Sequence, residues 1–287
     1  MSDVQVRPAD ANDIDAVCEL LHTKMNPRIE RARWRRLMEQ PWLQCAPDLG
    51  RVADDGGRVV GFIGMVYSDR LIAGATERIV NVCAWYLEKP YRSRGVGVEL
   101  MRSATNDDTM SYHILTSSSR TLAILDAVGY RVMDSERFFW EARAVARSEV
   151  SVESDTQRIG NRVNDNQRKL LDDHVGLPVR AYLLDSASAT SFALFSVVRK
   201  DDEQQYFDLL HLDGVGTFAD NAQAIANLIA TEPRAILAAD CRFFHGHEVD
   251  AEKFVIDVPR FYKSVRLKPW QIDNLYSEVQ VMNLKLE

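Results

Sequence analysis

The run Leu87-Glu88-Lys89-Pro90-Tyr91-Arg92-Ser93-Arg94-Gly95-Val96-Gly97 constrains this chain more than any other segment. Before it, Glu77 to Leu87 reads as a strand; after it, Val98, Met101 and Ala104 recur on one helical face with Val96 and Leu100 beside it. Proline bends the chain and the glycines allow close backbone approach. A helix that starts here offers unpaired N–H donors and the positive end of its dipole. Arg92 and Arg94 add cationic donors. The physics specifies a phosphate or diphosphate at a helix N-terminus. A P-loop is excluded because Gly-Lys-Ser/Thr is absent. A dinucleotide fingerprint would sit on the first strand, with an acidic residue about 20 positions on, whereas several strands precede this turn.

The rest of the first half alternates strand and helix signals. Val4 to Arg7 reads as a strand, and Asp10 or Asn12 caps a helix containing Ile14, Val17, Leu20 and Leu21. A second helix is expected over residues 29–39. Arg51-Val52-Ala53 and Arg58 to Tyr67 form a hairpin about Asp54-Asp55-Gly56-Gly57. After the anion-binding turn come a strand over residues 112–115, a helix over 121–128 ended by Gly129, and a strand over 137–143. The fold class is α/β, with antiparallel early strands and a crossover helix.

Polar residues, including Ser148, Glu149, Ser151, Glu153, Ser154 and Asp155, mark a linker at 147–157 between domains 1–146 and 158–287. The second half predicts a helix at 164–174, strands at 180–184, 191–199 and 205–212, a helix at 219–230 and a strand at 235–239. Its His211-Leu212-Asp213-Gly214-Val215-Gly216 follows a strand as the first turn does, which predicts a duplicated fold or a coincidence of a common Gly-x-Gly. In that echo His211 replaces the arginine and Asp213 sets a carboxylate beside the anion, so the second half is expected to have lost its site.

The formal charge of −7 gives no electrostatic basis for a nucleic-acid partner. Cys18, Cys45, Cys83 and Cys241 are dispersed, which predicts free buried thiols and no metal site. His245-Gly246-His247-Glu248 reads as a polar turn for want of further ligands. Arg28, Arg31, Arg33, Arg35 and Arg36 read as a solvated basic face or as contacts for a phosphate-bearing acceptor. Met1-Ser2-Asp3-Val4 lacks the character of a signal peptide, and apolar runs fall short of the ~20 residues of a membrane span. A cytoplasmic location and no membrane partner are expected.

Residues 4–143, and Trp85 to Gly97 above all, resemble the GNAT superfamily of acyl-CoA N-acyltransferases. The resemblance implies a mixed, mostly antiparallel sheet flanked by helices. It implies acetyl-CoA or another acyl-CoA as co-substrate, with the pyrophosphate held by Arg92, Ser93, Arg94, Gly95, Val96 and Gly97. Backbone groups of Trp85, Tyr86 and Leu87 would hold the pantetheine arm and acyl carbonyl. Thr116 to Tyr130 resembles a further family segment, where Ser118 falls at a common Asn and Leu125 at a common Tyr acid. The form of these motifs, with Lys263-Ser264 and Ile272 to Glu278, is similar to two-part members linked to cell-surface polysaccharide synthesis. That implies a nucleotide-linked amino-sugar acceptor.

Transfer to an amine needs a base. Asn81, Cys83 and Trp85 share one face of their strand, and none is a good base: Asn81 would hold a water, and Cys83 reads as a structural thiol or a nucleophile. His113 is either a relay or a satisfied core histidine. Tyr276 and Glu278 are expected to face the acceptor, unless their stretch is simply amphipathic with Leu275 and Val279 buried. The functional expectation is acyl transfer to a primary amine by direct attack. A protein or other small-molecule amine is the alternative acceptor, and a non-catalytic acyl-CoA-binding module the alternative class.

Overall fold

The computed structural model describes residues 4–44, 46–143, 149–187, 189–200 and 204–286. Cys45, Met1-Ser2-Asp3, Ser148 and the expected domain boundary at 146 and 147 lie outside the described residues. The chain forms two compact units. Unit 1 is Met1–Val132 with Arg260–Leu267 and Tyr276–Met282; unit 2 is Met133–Pro259 with Lys268–Leu275 and Asn283–Glu287. The C-terminal region therefore contributes to both units, and neither corresponds to a single division of the sequence.

Unit 1 begins with β1 (Gln5–Pro8), α1 (Ile14–Leu20) and α2 (Arg31–Arg35). Asp10 caps the turn before α1 and forms a reciprocal capping box with Asp13. The expected helix at 29–39 is shorter: α2 gives way to a 3-10 turn over Arg36–Met38. The hairpin forms with longer strands than read, β2 (Gly50–Asp55) and β3 (Arg58–Ile72): Asp54 and Asp55 pair in the ladder and only Gly56 and Gly57, at positive φ, make the turn. Then come β4 (Ala75–Leu87), α3 (Val96–Ala104), β5 (Ser111–Ile114) and α4 (Leu122–Ala127). Val96, Leu100, Met101 and Ala104 are the buried face of α3. Each large side chain buried there stabilises the unit by about 1.5–3 kcal/mol.

The next strand, β6 (Arg131–Glu141), runs into unit 2, which continues with β7 (Ser151–Glu153), α5 (Thr156–Gly160), α6 (Asp165–Asp173), β8 (Val179–Asp185), β9 (Thr190–Lys200), β10 (Gln204–Asp213), α7 (Val215–Ile229) and β11 (Ile236–Asp240). Part of the expected linker is thus ordered structure, because Glu153 and Asp155 satisfy local backbone donors there, Asp155 as the cap of α5. Phe138, Trp140, Phe195, Phe218 and Phe244 centre the core of unit 2.

The sequence reading places no strand at β12 (Lys253–Lys263), which carries Pro259 in its interior. Its last residues, Phe261, Tyr262 and Lys263, pair antiparallel with Ile114, His113 and Tyr112 of β5 and complete unit 1. In unit 2 the corresponding neighbour of β11 is β6, antiparallel over Arg137 to Glu141. The strand orders are β1-β2-β3-β4-β5-β12 and β7-β8-β9-β10-β11-β6. All pairs with a described register are antiparallel except β4·β5 and β10·β11. The architecture is the expected mixed, mostly antiparallel sheet with flanking helices. Last, α8 (Glu278–Val281) lies in unit 1.

Candidate active site

The site of unit 1 grows from a fault in its sheet. Strand β4 pairs with β5 only at Ile79, Val80 and Asn81, opposite Ser111, Tyr112 and His113. Beyond Asn81 the described pairing of the two strands stops. There β4 also carries a bulge: Cys83 faces Gly64 and Tyr86 faces Phe62, so Ala84 and Trp85 together oppose Ile63. Ala84 has φ 49°, an uncommon conformation for a residue with a Cβ. A cleft of about 270 Å³ lies at this place, lined among others by Cys83, Ala84, Trp85, Thr116, Ser117 and Leu125.

The anion-binding turn lies at the end of the same strand. Lys89–Tyr91 make a 3-10 turn, and Ser93 and Gly95 take φ of 63° and 81°. Gly95 is the N-cap of α3, and the first main-chain bond there runs from Glu99 N–H to the Gly95 carbonyl, so the N–H groups of Val96, Gly97 and Val98 precede the helical ladder. A Cβ added at Gly95 would meet nothing within 4 Å, which leaves the turn open to a diphosphate. Arg92 donates from Nε to the Leu87 carbonyl at 2.8 Å and lies over the Tyr86 ring at 5.4 Å. Arg94 lies over the Tyr91 ring at 5.7 Å. Both arginines are exposed. The residues present fit a CoA-type ligand: an open amide turn, two cations, and a cleft lined by the bulged strand that leads into the turn.

A buried carboxyl stands behind the cleft-lining Thr116. Glu278 is 3% exposed, its main-chain N–H donates to Asn81 Oδ1 at 3.0 Å, and its Oε1 accepts from Thr116 Oγ1 at 2.8 Å. Burial pushes the Glu278 carboxyl up to about 7, against the opposing pull of the Thr116 and Asn81 hydrogen bonds. The structure therefore brings Asn81 and Glu278 together across 197 positions of sequence. This carboxyl is suited to proton transfer near neutral pH, and its partner Thr116 lines the cleft. Cys83 lies in the cleft, but burial and the nearby Glu278 raise its thiol well above the usual range, which removes the thiolate a nucleophile requires.

The other expected residues are placed as follows. His113 is buried on β5, in register with Asn81. Tyr276 is buried with φ 54°, edge-on to Trp42 at 5.3 Å and under the Arg70 guanidinium, so its ring is held in an aromatic and cationic packing. Trp85 lines the cleft, and Tyr86 and Leu87 complete the strand into the turn. Ser118 lines the cleft while its hydroxyl accepts from the Arg120 N–H. Leu125, 0% exposed, walls it where an acid was sought. Of the basic helix, Arg31 pairs with Glu19, Arg35 with Asp15, and Arg33 donates to the Met282 carbonyl. His245 stacks on Trp270 at 3.8 Å. No cluster of three metal-ligating side chains is found among the described residues. Among them, too, no helix is long and apolar enough to cross a membrane. Sequence reasoning missed Thr116 as a partner of Glu278; its only signal was a hydroxyl just beyond the strand that ends at Ile114.

Comparison with known proteins bears on these features. Residues 14–108 match the Acetyltransferase (GNAT) family. No curated protein is detectably similar in sequence. A GCN5-related N-acetyltransferase from Kribbella flavida shares the fold with TM-score 0.59 at 16% identity, over 92% of this chain and 71% of its own. A conserved protein of unknown function from Enterococcus faecalis V583, a probable N-acyltransferase, gives 0.59 at 10% identity over 94% and 74%. A GCN5-related glucosamine N-acetyltransferase region of a fungal multi-domain β-N-acetylglucosaminidase gives 0.56 at 10% identity over 92% and 38%. The chain has the GNAT-like fold, and the matched segment spans the hairpin, the bulged strand and the open turn.

Proposed function

We propose that this protein transfers an acyl group, acetyl or another short acyl, from acyl-CoA to a primary amine by direct attack on the thioester. The observation that carries the reading is the combination of an open anion-binding turn at the end of a bulged strand, a cleft lined by that strand, and a buried carboxyl hydrogen-bonded to the cleft-lining Thr116. Arg92 to Gly97 would grip the pyrophosphate, and the main chain about Ala84 to Leu87 would hold the pantetheine arm. The co-substrate supplies an activated carbonyl and a thiolate leaving group. Glu278 serves as general base and Asn81 holds the main chain that carries it. Leu125 and the burial of Cys83 argue against an acid or a covalent acyl-cysteine from those positions.

For the acceptor we propose an amino sugar, free or nucleotide-linked. Support comes from the resemblance of the motifs to two-part amino-sugar acyltransferases and from the fold shared with the fungal glucosamine N-acetyltransferase region. The test is thiol release from acetyl-CoA with a panel of amines, including glucosamine, nucleotide-linked amino sugars, alkylamines and a peptide, with products read by mass spectrometry. Acylation of the sugar amines is expected. Tight acetyl-CoA binding without turnover on any amine would sink the enzymatic reading, and turnover confined to the peptide would replace the acceptor.

A further inference from the structure

We propose that the Thr116 hydroxyl is the proton shuttle between the acceptor amine and Glu278, an inference that rests on the assignment of Glu278 as base. Glu278 is 3% exposed and does not line the cleft, whereas Thr116 is exposed and does. A buried carboxylate needs an intermediary to act on an amine in the cleft. Thr116 Oγ1 already donates its proton to Glu278 Oε1 at 2.8 Å, and its lone pairs can accept another. Position reinforces the role, since Thr116 lies two residues beyond Ile114, the end of β5, past the point where β5 pairs with β4.

The neighbouring hydroxyls have other engagements or no base. Ser118 Oγ accepts from the Arg120 N–H, and Thr121 Oγ1 donates to the Ser118 carbonyl at 2.7 Å. Ser117 Oγ is buried without a hydrogen-bond partner, so it has no carboxylate to pass a proton to.

In the step the amine nitrogen forms its bond to the thioester carbonyl carbon and the C–S bond breaks. The amine proton passes to Thr116 Oγ1 as the threonine proton passes to Glu278 Oε1. An amide, a thiolate and a protonated Glu278 result. The Glu278 proton then returns through Thr116 Oγ1 and water to the thiolate, which leaves as the thiol, and the base is restored.

The experiment compares Thr116→Val, Thr116→Ser and Glu278→Gln with the unaltered protein. It uses acetyl-CoA and the amine of the panel that is turned over fastest, from about pH 6 to about pH 9.5. Thr116→Val keeps the shape and loses the hydroxyl. Its kcat is expected to fall about 100-fold at every pH, including values well above the ionisation of Glu278, with KM for acetyl-CoA changed by less than about threefold. Thr116→Ser is expected to stay within about fivefold of the unaltered kcat. If Thr116→Val recovers full kcat at high pH, the hydroxyl only tunes the carboxyl and the shuttle is wrong, while the base assignment stands. Full activity in Glu278→Gln would remove the base assignment itself. A measurement on the unaltered protein guards against misfolding of a variant: kcat in mixed H2O and D2O should follow a curved dependence, as two moving protons require, and a linear one overturns the shuttle.

Discussion

Units 1 and 2 trace the same path and end in opposite states. In each, a long strand carries a bulge, meets a glycine in left-handed conformation that caps a helix, and pairs in parallel over three residues with the strand after the helix. Gly95 and Gly214 have φ of 81° and 83°. By register, Asn81 corresponds to Asp208 and His113 to Ala238. The surroundings differ. A Cβ at Gly95 would meet open space, while one at Gly214 would meet the Thr190 carbonyl oxygen at 2.9 Å. The bulge of β4 borders a cleft. The bulge of β10, at Leu210, is occupied: the Asn274 N–H donates to the Leu210 carbonyl at 2.8 Å. Arg242 anchors the same segment through Asp240, Asp134, the Ile272 carbonyl and the Asn274 side chain. Arg137, 0% exposed, joins Asp208 at 2.6 Å and Asp240 at 2.9 Å. One bulge borders an open cleft; the other is bonded by the protein's own chain.

The largest expected effect follows from placing the base in unit 1 alone. Glu278→Gln should lower kcat by about 100- to 10,000-fold with little change in acetyl-CoA affinity. In the unaltered protein kcat should rise with pH through a single ionisation near 7, because the base must be deprotonated to work. A flat profile between about pH 6 and about pH 8 would break the assignment of roles between the units.

The turn was legible because proline, glycine and arginine mark it locally. The same holds for the hairpin at Gly56-Gly57 and the cap at Asp10. Glu278 was reached through resemblance, but its partners were not: Thr116 lies 162 positions away, and no local pattern couples them. Strand β12 escaped notice because Pro259 and the charges of Lys253, Asp257, Arg260 and Lys263 imitate a loop. Arg137 and Arg260 were equally hidden. Arginine in a strand suggests an exposed face, and only the assembled sheet shows both buried.

Next in size is the network that fills unit 2. Arg242→Ala removes the guanidinium that buried Asp240 and Asp134 share, leaving Asp240 its pairing with Arg137, a change that costs about 3–5 kcal/mol. A clear loss of Tm is expected in thermal unfolding. If Tm is unaltered, the filled crevice contributes no stability and the contrast with unit 1 loses its energetic basis.

A smaller effect has the opposite sign. Glu278 has a folded pKa of about 7 against an ordinary value of 4.5, so the folded state retains a proton that the unfolded state releases. Stability from this group is present below about pH 4.5, declines as pH rises to about 7, and is level above. Glu278→Gln does not titrate. Its Tm should exceed that of the unaltered protein by a margin that grows over this window, worth up to about 3 kcal/mol. The inactive variant should thus be the more stable one at pH 8, as expected where an active site holds a desolvated charge. A margin independent of pH would mean that the carboxyl titrates normally.

The smallest effect separates the two turns directly. Titration calorimetry with acetyl-CoA should give one site per chain. Gly95→Val places a β-branched side chain at φ 81° and into the space a diphosphate would enter, and should weaken binding about 10-fold or more. His211→Asn, in the turn of unit 2, should leave the affinity within about twofold. There the imidazole already contacts Asp273 at 2.7 Å, and Asp213 accepts from Gln167. These groups are spent on the protein itself, and a Cβ at Gly214 would already meet the Thr190 carbonyl oxygen. Two sites per chain, or a loss of affinity on changing His211 equal to that at Gly95, would show that the filled crevice opens to ligand, and the two units would then have to be described as working sites of one kind.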